Sequence, residues 1–366
     1  MPSASSPARI AVLRALHLGD LLCAVPFLRC LRAAYPEADV TLIGLSGSDG
    51  FVARFPNLVD RLLPFPSFPG VPETPQRPGE AVAFLQACQR DPFDLALQLH
   101  GSGRHTNAFV SLMGARASAG FFLPGEEKGY PSTYRAYPGH GPEVKRLLAL
   151  ARHLGWPESG EDLEFPLLDA DRAAYGRLDT ALGLSGTDYV CLHPGARDPL
   201  RRWPPREFAR LADALASSGL RVLLTGEAGE RPIAEAVAAA MHRGAEVLCG
   251  RTTLGSLGGL LEGARLLVTN DTGVSHIAAA LCVPSVVLFL HSDAERWAPL
   301  DRELHKAFAA EAAMGNSCLH EVGGHRCLAD GCRFRRRVAA GRPIDREEVL
   351  SAAFSLLEAR GAGARA

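Results

Sequence analysis

The chain lacks charge excess of either sign. Its 366 residues carry 39 Lys and Arg against 40 Asp and Glu, a formal net charge of −1. That balance removes any whole-chain electrostatic case for nucleic acid or for an anionic membrane. It also lacks a spanning segment: the longest apolar run, from Ile277 to Leu290, is too short for a bilayer and is interrupted by Pro284. No leader is visible, because Met1 to Ala8 is small and polar and Arg9 opens directly into a strand-like run. No G-x-G-x-x-G follows that first strand, which speaks against a dinucleotide-dependent dehydrogenase. There are no low-complexity tracts. The nine cysteines are scattered and odd in number, a pattern of reduced thiols and not of a disulfide framework. The expectation from these absences is a cytoplasmic protein that can still work at a membrane surface.

What is present is enough for two cores. The length exceeds a typical single domain, and 47% of the residues are apolar. Short apolar runs alternate with helical patterns, the signature of βαβ units and parallel sheets. In the first half the pattern predicts strands at Ile10–Arg14, Asp39–Leu45, Arg61–Phe65 and Asp94–His100, with helices over Asp20–Ala34, Gly79–Arg90 and Asn107–Met113. A Gly- and Pro-rich stretch from Phe121 to Pro142 predicts a long loop. The second round predicts strands at Tyr189–His193, Arg221–Gly226, Glu246–Cys249, Leu266–Asn270 and Ser285–Leu290. Helices are expected at Pro205–Ser218, Arg231–His242, Leu254–Glu262 and Asp345–Arg360. The boundary is expected within Glu164–Gly186, giving domains 1–168 and 169–366.

Ligands of open α/β sheets bind beyond the carboxyl ends of the strands, so the strand-to-helix turns carry the chemistry. The first turn, Arg14 to Asp20, contains His17, Gly19 and Asp20. Asp20 reads either as a helix cap or as a carboxylate able to take a proton from a substrate hydroxyl. The turn after Tyr189–His193 holds Gly195 and Ala196, then Arg201-Arg202-Trp203. Backbone N–H groups with adjacent arginines suit phosphate oxygens. Gly226 to Glu230 follows another strand, where a carboxylate commonly reads a ribose diol. The segment Asn270-Asp271-Thr272-Gly273-Val274-Ser275-His276 sets several polar groups ahead of an apolar helix, whose first turn offers unbonded N–H groups.

Together these motifs resemble glycosyltransferase family 9, the ADP-heptose heptosyltransferases of lipopolysaccharide core assembly. Leu18-Gly19-Asp20, His193 through Pro204, Gly226–Glu230 and Asn270–His276 carry the resemblance, with Gln98–Asn107 as a further familial segment. It implies an α/β chain of GT-B class: two Rossmann-like, doubly wound domains facing a central cleft, acceptor on the first and nucleotide sugar on the second, with the last helix packing back on the first. It further implies inverting transfer of a heptose or related sugar from an ADP-sugar to a glycan or lipid-linked acceptor at the inner-membrane surface. No cofactor is needed and no nucleic acid is bound.

By the same resemblance Asp20 matches the catalytic base. Gly195, Ala196, Arg201, Glu230, Asp271, Thr272, Gly273 and His276 match the donor site. Arg201 stands where the family usually has lysine, keeping the charge but not the shape. His17, His100, Arg104 and Asn107 are acceptor-side candidates. A GT-B nucleotide-sugar epimerase and a non-catalytic nucleotide-sugar binder are the alternatives. The C-terminal group Cys318, His320, His325, Cys327 and Cys332 has no standard metal-ligand spacing, and the expectation is no bound metal.

Overall fold

The computed structural model describes residues 6–75, 77–127, 129–310 and 343–363. These form two compact units. One runs to Asp162; the other begins at Leu163 and includes the C-terminal helix Arg346–Gly363.

The first unit is built on strands β1 (Arg9–Leu13), β2 (Asp39–Gly44), β3 (Arg61–Pro64), β4 (Leu95–Gln98), β5 (Ala117–Phe122) and β6 (Tyr134–Ala136). They lie in the order β3-β2-β1-β4-β5-β6, and every pairing is parallel. The second unit repeats the pattern with β7 (Tyr189–His193), β8 (Arg221–Leu224), β9 (Glu246–Val247), β10 (Leu266–Asn270), β11 (Ser285–Phe289) and β12 (His305–Ala309). Its order, β12-β11-β10-β7-β8-β9, is the same doubly wound order read from the other edge. In each sheet the winding reverses between two central strands, β1 and β4 in the first and β7 and β10 in the second. Such a switch point opens a crevice at the strands' carboxyl ends.

The central strands are buried, as parallel strands covered on both faces must be. Ile10 to Leu13 and Val190 to Leu192 are almost wholly shielded. The helix Pro205–Ser217 starts with proline at its first position, where no N–H is required, and buries Phe208, Leu211 and Leu215.

The structure departs from the sequence reading in several places, and strand β5 and the helices Asp49–Arg54 and Glu143–His153 are among the elements that the sequence pattern does not predict. The helix expected over Asp20–Ala34 is two helices, Leu18–Leu22 and Val25–Ala34. Pro26 has no N–H to continue the first helix through the junction. The loop expected from Phe121 to Pro142 contains the edge strand β6, whose Tyr134 pairs with Gly120; three residues are too few to show an alternation. The expected boundary Glu164–Gly186 contains the helix Asp169–Leu182, closed by Gly183 at φ 59°. None of its residues is buried, so no apolar stripe marks it. Strand β12 escaped notice because His305 is its one buried residue.

The last helix packs on the second unit's sheet. Val349, Ala353 and Leu356 enter the core formed by Val190, Leu266 and Val286. Arg346 also pairs with Glu207 at 3.2 Å.

Candidate functional site

The predicted site residues fall at the two switch points. In the first unit, β1 runs into a turn and the short helix Leu18–Leu22. His17 occupies the cap position and makes no side-chain cap bond. Asp20 sits inside the first helical turn, partly exposed, so it is not the cap that the sequence allowed it to be. Its carboxylate is placed favourably for the helix dipole.

A buried cation fixes this turn. Arg14 ends β1 with no solvent exposure. Its Nε donates to the carbonyl of Asp20 at 2.8 Å and its Nη1 to the carbonyl of Leu99 at 2.5 Å. Its Nη2 pairs with Glu143 at 3.1 Å. One guanidinium thus ties the turn after β1 to the turn after β4.

The turn after β4 is itself tightly held. Gln98 donates to the carbonyl of His100 and to Thr106 Oγ1, and accepts from the N–H of Phe121. Asn107 donates to the Phe121 carbonyl at 2.8 Å. Gly103 has φ +81°, and a Cβ there would fall 2.4 Å from the Asn107 amide, so the close approach requires glycine. Asn107 therefore builds the loop; His100 is fully buried within it; Arg104 projects to the surface and His17 is half-buried.

A residue the sequence reading passed over joins this group. Glu73 lies on the connection between β3 and the helix Pro78–Arg90, with its Oε1 3.7 Å from His100 Nε2 and both side chains fully shielded. Burial pushes its carboxyl up to about 7; a backbone hydrogen bond opposes the rise and the charge on Asp20 adds to it. Nothing local in Pro-Glu-Thr-Pro signals this.

In the second unit, the turn after β7 and the turn after β10 are stapled by Asn270. Its Nδ2 donates to the carbonyls of Pro194 and Gly195 at 2.9 and 3.2 Å, and its Oδ1 accepts from the N–H of Trp203 at 2.9 Å. Trp203 is buried against Phe208 and anchors the loop. The sequence placed Asn270 in the motif without this role.

Around the staple the predicted donor residues gather. Arg201 Nη1 pairs with Asp271 Oδ2 at 3.1 Å, and Arg202 Nε donates to the carbonyl of Ala196. Thr272 caps the helix Gly273–Ala280 through its extended backbone, without a side-chain bond to the helix's first-turn N–H groups. Its hydroxyl meets Thr269 Oγ1 at 3.3 Å, and Ser275 Oγ donates to its carbonyl. The first-turn N–H groups of this helix form an electropositive end. His276 is buried, edge-on to Trp297.

Glu230 lies against the same turn. A Cβ on Gly195 would fall 2.2 Å from Glu230 Oε1, so only glycine admits the carboxylate there. Glu230 Oε2 accepts from the N–H of Glu227 and stands 3.6 Å from His193 Nε2. His193 Nδ1 meets Thr225 Oγ1 at 3.1 Å. Burial holds this imidazole below its ordinary range, against the opposing pull of Glu230.

The whole donor motif, from His193 to His276, falls inside the segment 81–320 that matches the family model for glycosyltransferase family 9 (heptosyltransferase), more than half of the chain. The chain belongs to glycosyltransferase family 9. It is similar to lipopolysaccharide heptosyltransferase 2 of Escherichia coli K12, at 27% identity over 84% of this chain and 92% of the relative. It is also similar to lipopolysaccharide heptosyltransferase 1 of Pseudomonas aeruginosa, at 29% identity over 77% and 78%. Among solved structures, a family 9 glycosyl transferase from Veillonella parvula superposes with a TM-score of 0.75 and 21% identity, covering 96% and 97% of the two chains. The E. coli ADP-heptose LPS heptosyltransferase II does so with a TM-score of 0.68 and 23% identity, covering 96% and 99%. These structures share the fold: two Rossmann-like domains in one chain, the GT-B class.

This glycosyltransferase has no helix, among its described residues, long and apolar enough to cross a membrane. No group of three or more metal-ligating side chains comes together among them either. Cys318, His320, His325, Cys327 and Cys332 lie outside the described residues.

Proposed function

We propose that this glycosyltransferase moves a heptose from ADP-heptose to a hydroxyl of a lipopolysaccharide-core or related glycan acceptor, inverting the anomeric centre. The observation that carries the reading is the Asn270 staple, which brings Arg201 and Asp271 together with the turn at Gly195 and the start of the helix Gly273–Ala280. A cation beside an electropositive helix end suits a diphosphate. Two of the solved family structures are described as E. coli heptosyltransferase WaaC with ADP and with ADP-2-deoxy-2-fluoro heptose.

In this mechanism the acceptor oxygen attacks the anomeric carbon as the bond to the diphosphate oxygen breaks. ADP leaves with the bonding electrons. Arg201 and the helix N-terminus stabilise the charge that grows on it. The proton of the acceptor hydroxyl goes to Asp20, because a sugar hydroxyl is far too weak an acid to attack unaided at neutral pH. Glu230 binds the ribose, and Asp271 and Thr272 the transferred sugar. The domains divide the work, acceptor on the first and nucleotide sugar on the second, and the acceptor is met at the inner-membrane surface. No cofactor or metal takes part.

The test is transfer with a panel of nucleotide sugars and a core-oligosaccharide acceptor, with the product anomer assigned by NMR. ADP-heptose should support transfer with inversion, and ADP should compete with it. Transfer from UDP-sugars alone, or product of retained configuration, would overturn the proposal.

A further inference from the structure

The second unit's switch point holds a buried imidazole that the proposed transfer leaves without a task. His193 ends β7 and is 5% exposed. Thr225 lies just past the end of the neighbouring strand β8, fully buried, and its N–H donates to the carbonyl of Leu192 at 2.9 Å. Its hydroxyl meets His193 Nδ1 at 3.1 Å. The other ring nitrogen, Nε2, stands 3.6 Å from Glu230 Oε2. A hydroxyl, an imidazole and a carboxylate thus follow one another across the ends of two strands.

The backbone comes up to the carboxylate on two sides. A Cβ on Gly195 would fall 2.2 Å from Oε1, and one on Gly226 3.1 Å from Oε2. Oε2 also accepts the N–H of Glu227 at 2.8 Å. Oε2 is therefore the oxygen turned to the protein's own donors. Oε1 is turned to Gly195, in the turn that the proposed function sets against the diphosphate.

These partners select a tautomer. Burial disfavours the charged imidazole, with Glu230 opposing, so at neutral pH one ring nitrogen carries a hydrogen and the other a lone pair. A lone pair on Nε2 would face a carboxylate oxygen, like against like; an N–H there faces it with opposite sign. The Thr225 hydroxyl supports the second arrangement. Its two acceptors are His193 Nδ1 at 3.1 Å and the Leu192 carbonyl at 3.4 Å, and the bond to Nδ1 is the shorter.

We propose that His193 is a positioning residue for nucleotide recognition: with Thr225 donating to its Nδ1, it turns Nε2–H toward Glu230 and holds that carboxylate for the ribose diol of ADP. The inference rests on the reading of Glu230 as the ribose-binding residue. At 3.6 Å the pair is beyond a hydrogen bond, and the N–H dipole acts on the carboxylate through space. The two side chains are 6% and 16% exposed, so water screens that attraction little. A packing role would use the volume of the ring and neither of its nitrogens.

The experiment is the affinity of the full-length enzyme for ADP, 2′-deoxy-ADP and 3′-deoxy-ADP, measured by calorimetry. The three share base and diphosphate, so their ratio isolates the ribose. Wild type should bind ADP about tenfold or more tighter than at least one deoxy nucleotide, the worth of a hydrogen bond to a charged group. His193→Gln sets an amide N–H where Nε2–H stood and should keep most of that ratio. His193→Asn reaches only as far as Nδ1 and should cut it roughly threefold or more. Thr225→Val keeps the shape, removes the hydroxyl and should cut it likewise, while Thr225→Ser should keep it. Thr225→Val also decides the matter should the His193 variants fail to fold. A ratio unchanged in His193→Asn or in Thr225→Val overturns the inference. So does one common loss for all three nucleotides, or the same loss in His193→Gln as in His193→Asn. A wild-type ratio in Glu230→Ala, or no ratio in wild type, would instead overturn the ribose reading. Loss of the ratio in Glu230→Ala with none in His193→Asn would leave that reading standing and remove His193.

Discussion

Arg14 and Glu143 form an ion pair at 3.1 Å with both side chains 1% exposed. The pair joins the end of β1 to the first residue of the helix Glu143–His153, and Tyr137 donates to the second carboxylate oxygen. Arg14 also carries the carbonyls of Asp20 and Leu99, so it sets the backbone on which the proposed base is mounted.

Removing one partner of a buried pair leaves the other charge stranded. Glu143→Ala should therefore lower the stability of the first unit by about 3–5 kcal/mol. Hydrogen exchange resolved along the chain would read the loss in β1 and β4. Protection unchanged there would mean that Arg14 finds adequate partners without Glu143.

At the second switch point, Arg201→Ala should weaken ADP-heptose binding by about 1.5–3 kcal/mol, the range for a hydrogen bond to a charged group. Arg201→Lys should recover part of this, since lysine keeps the charge without the planar fork. Calorimetry reads both. Donor affinity unchanged in the alanine variant would take Arg201 out of the site and leave Arg202 or Arg197 as the diphosphate partner.

The Glu73 carboxyl also has a consequence for stability. Its folded-state value, raised from 4.5 to about 7, means that the folded chain holds a proton over that interval which the unfolded chain releases. Stability is unaffected below about pH 4.5 and falls as pH rises through 7. The loss is on the order of 3 kcal/mol. Glu73→Gln removes the cost, so the variant's melting temperature should pull ahead of wild type as pH rises from 4.5 to 7.5. A difference that stays constant across this interval would contradict the assignment.

Much of this architecture is legible in the sequence, and for a physical reason. Tyr189–His193 and Leu266–Asn270 were read to the residue because strands buried on both faces are continuous apolar runs bounded by turns. The motif turns were legible because Gly195 and Gly103 stand where no side chain fits. Part of what escaped depends on contacts distant in sequence or on surfaces that face solvent. The helix Asp169–Leu182 buries none of its residues. The last helix shows an apolar face at Val349, Ala353 and Leu356, but no pattern in the chain says which sheet receives it. Asn270 was visible as a polar residue at a strand end; its bonds to Pro194, Gly195 and Trp203 were not. Glu73 became significant through the folding of one connection against another.

The most direct test of the account is turnover in Asp20→Asn. The substitution keeps the size and position of the side chain in the first turn of the helix Leu18–Leu22 and removes its capacity to take a proton. Turnover with ADP-heptose and acceptor should fall by roughly 10²–10⁴, the usual contribution of general-base catalysis, while ADP affinity and thermal stability stay at their wild-type values. A folded Asp20→Asn enzyme that turns over at a near-normal rate would contradict the mechanism.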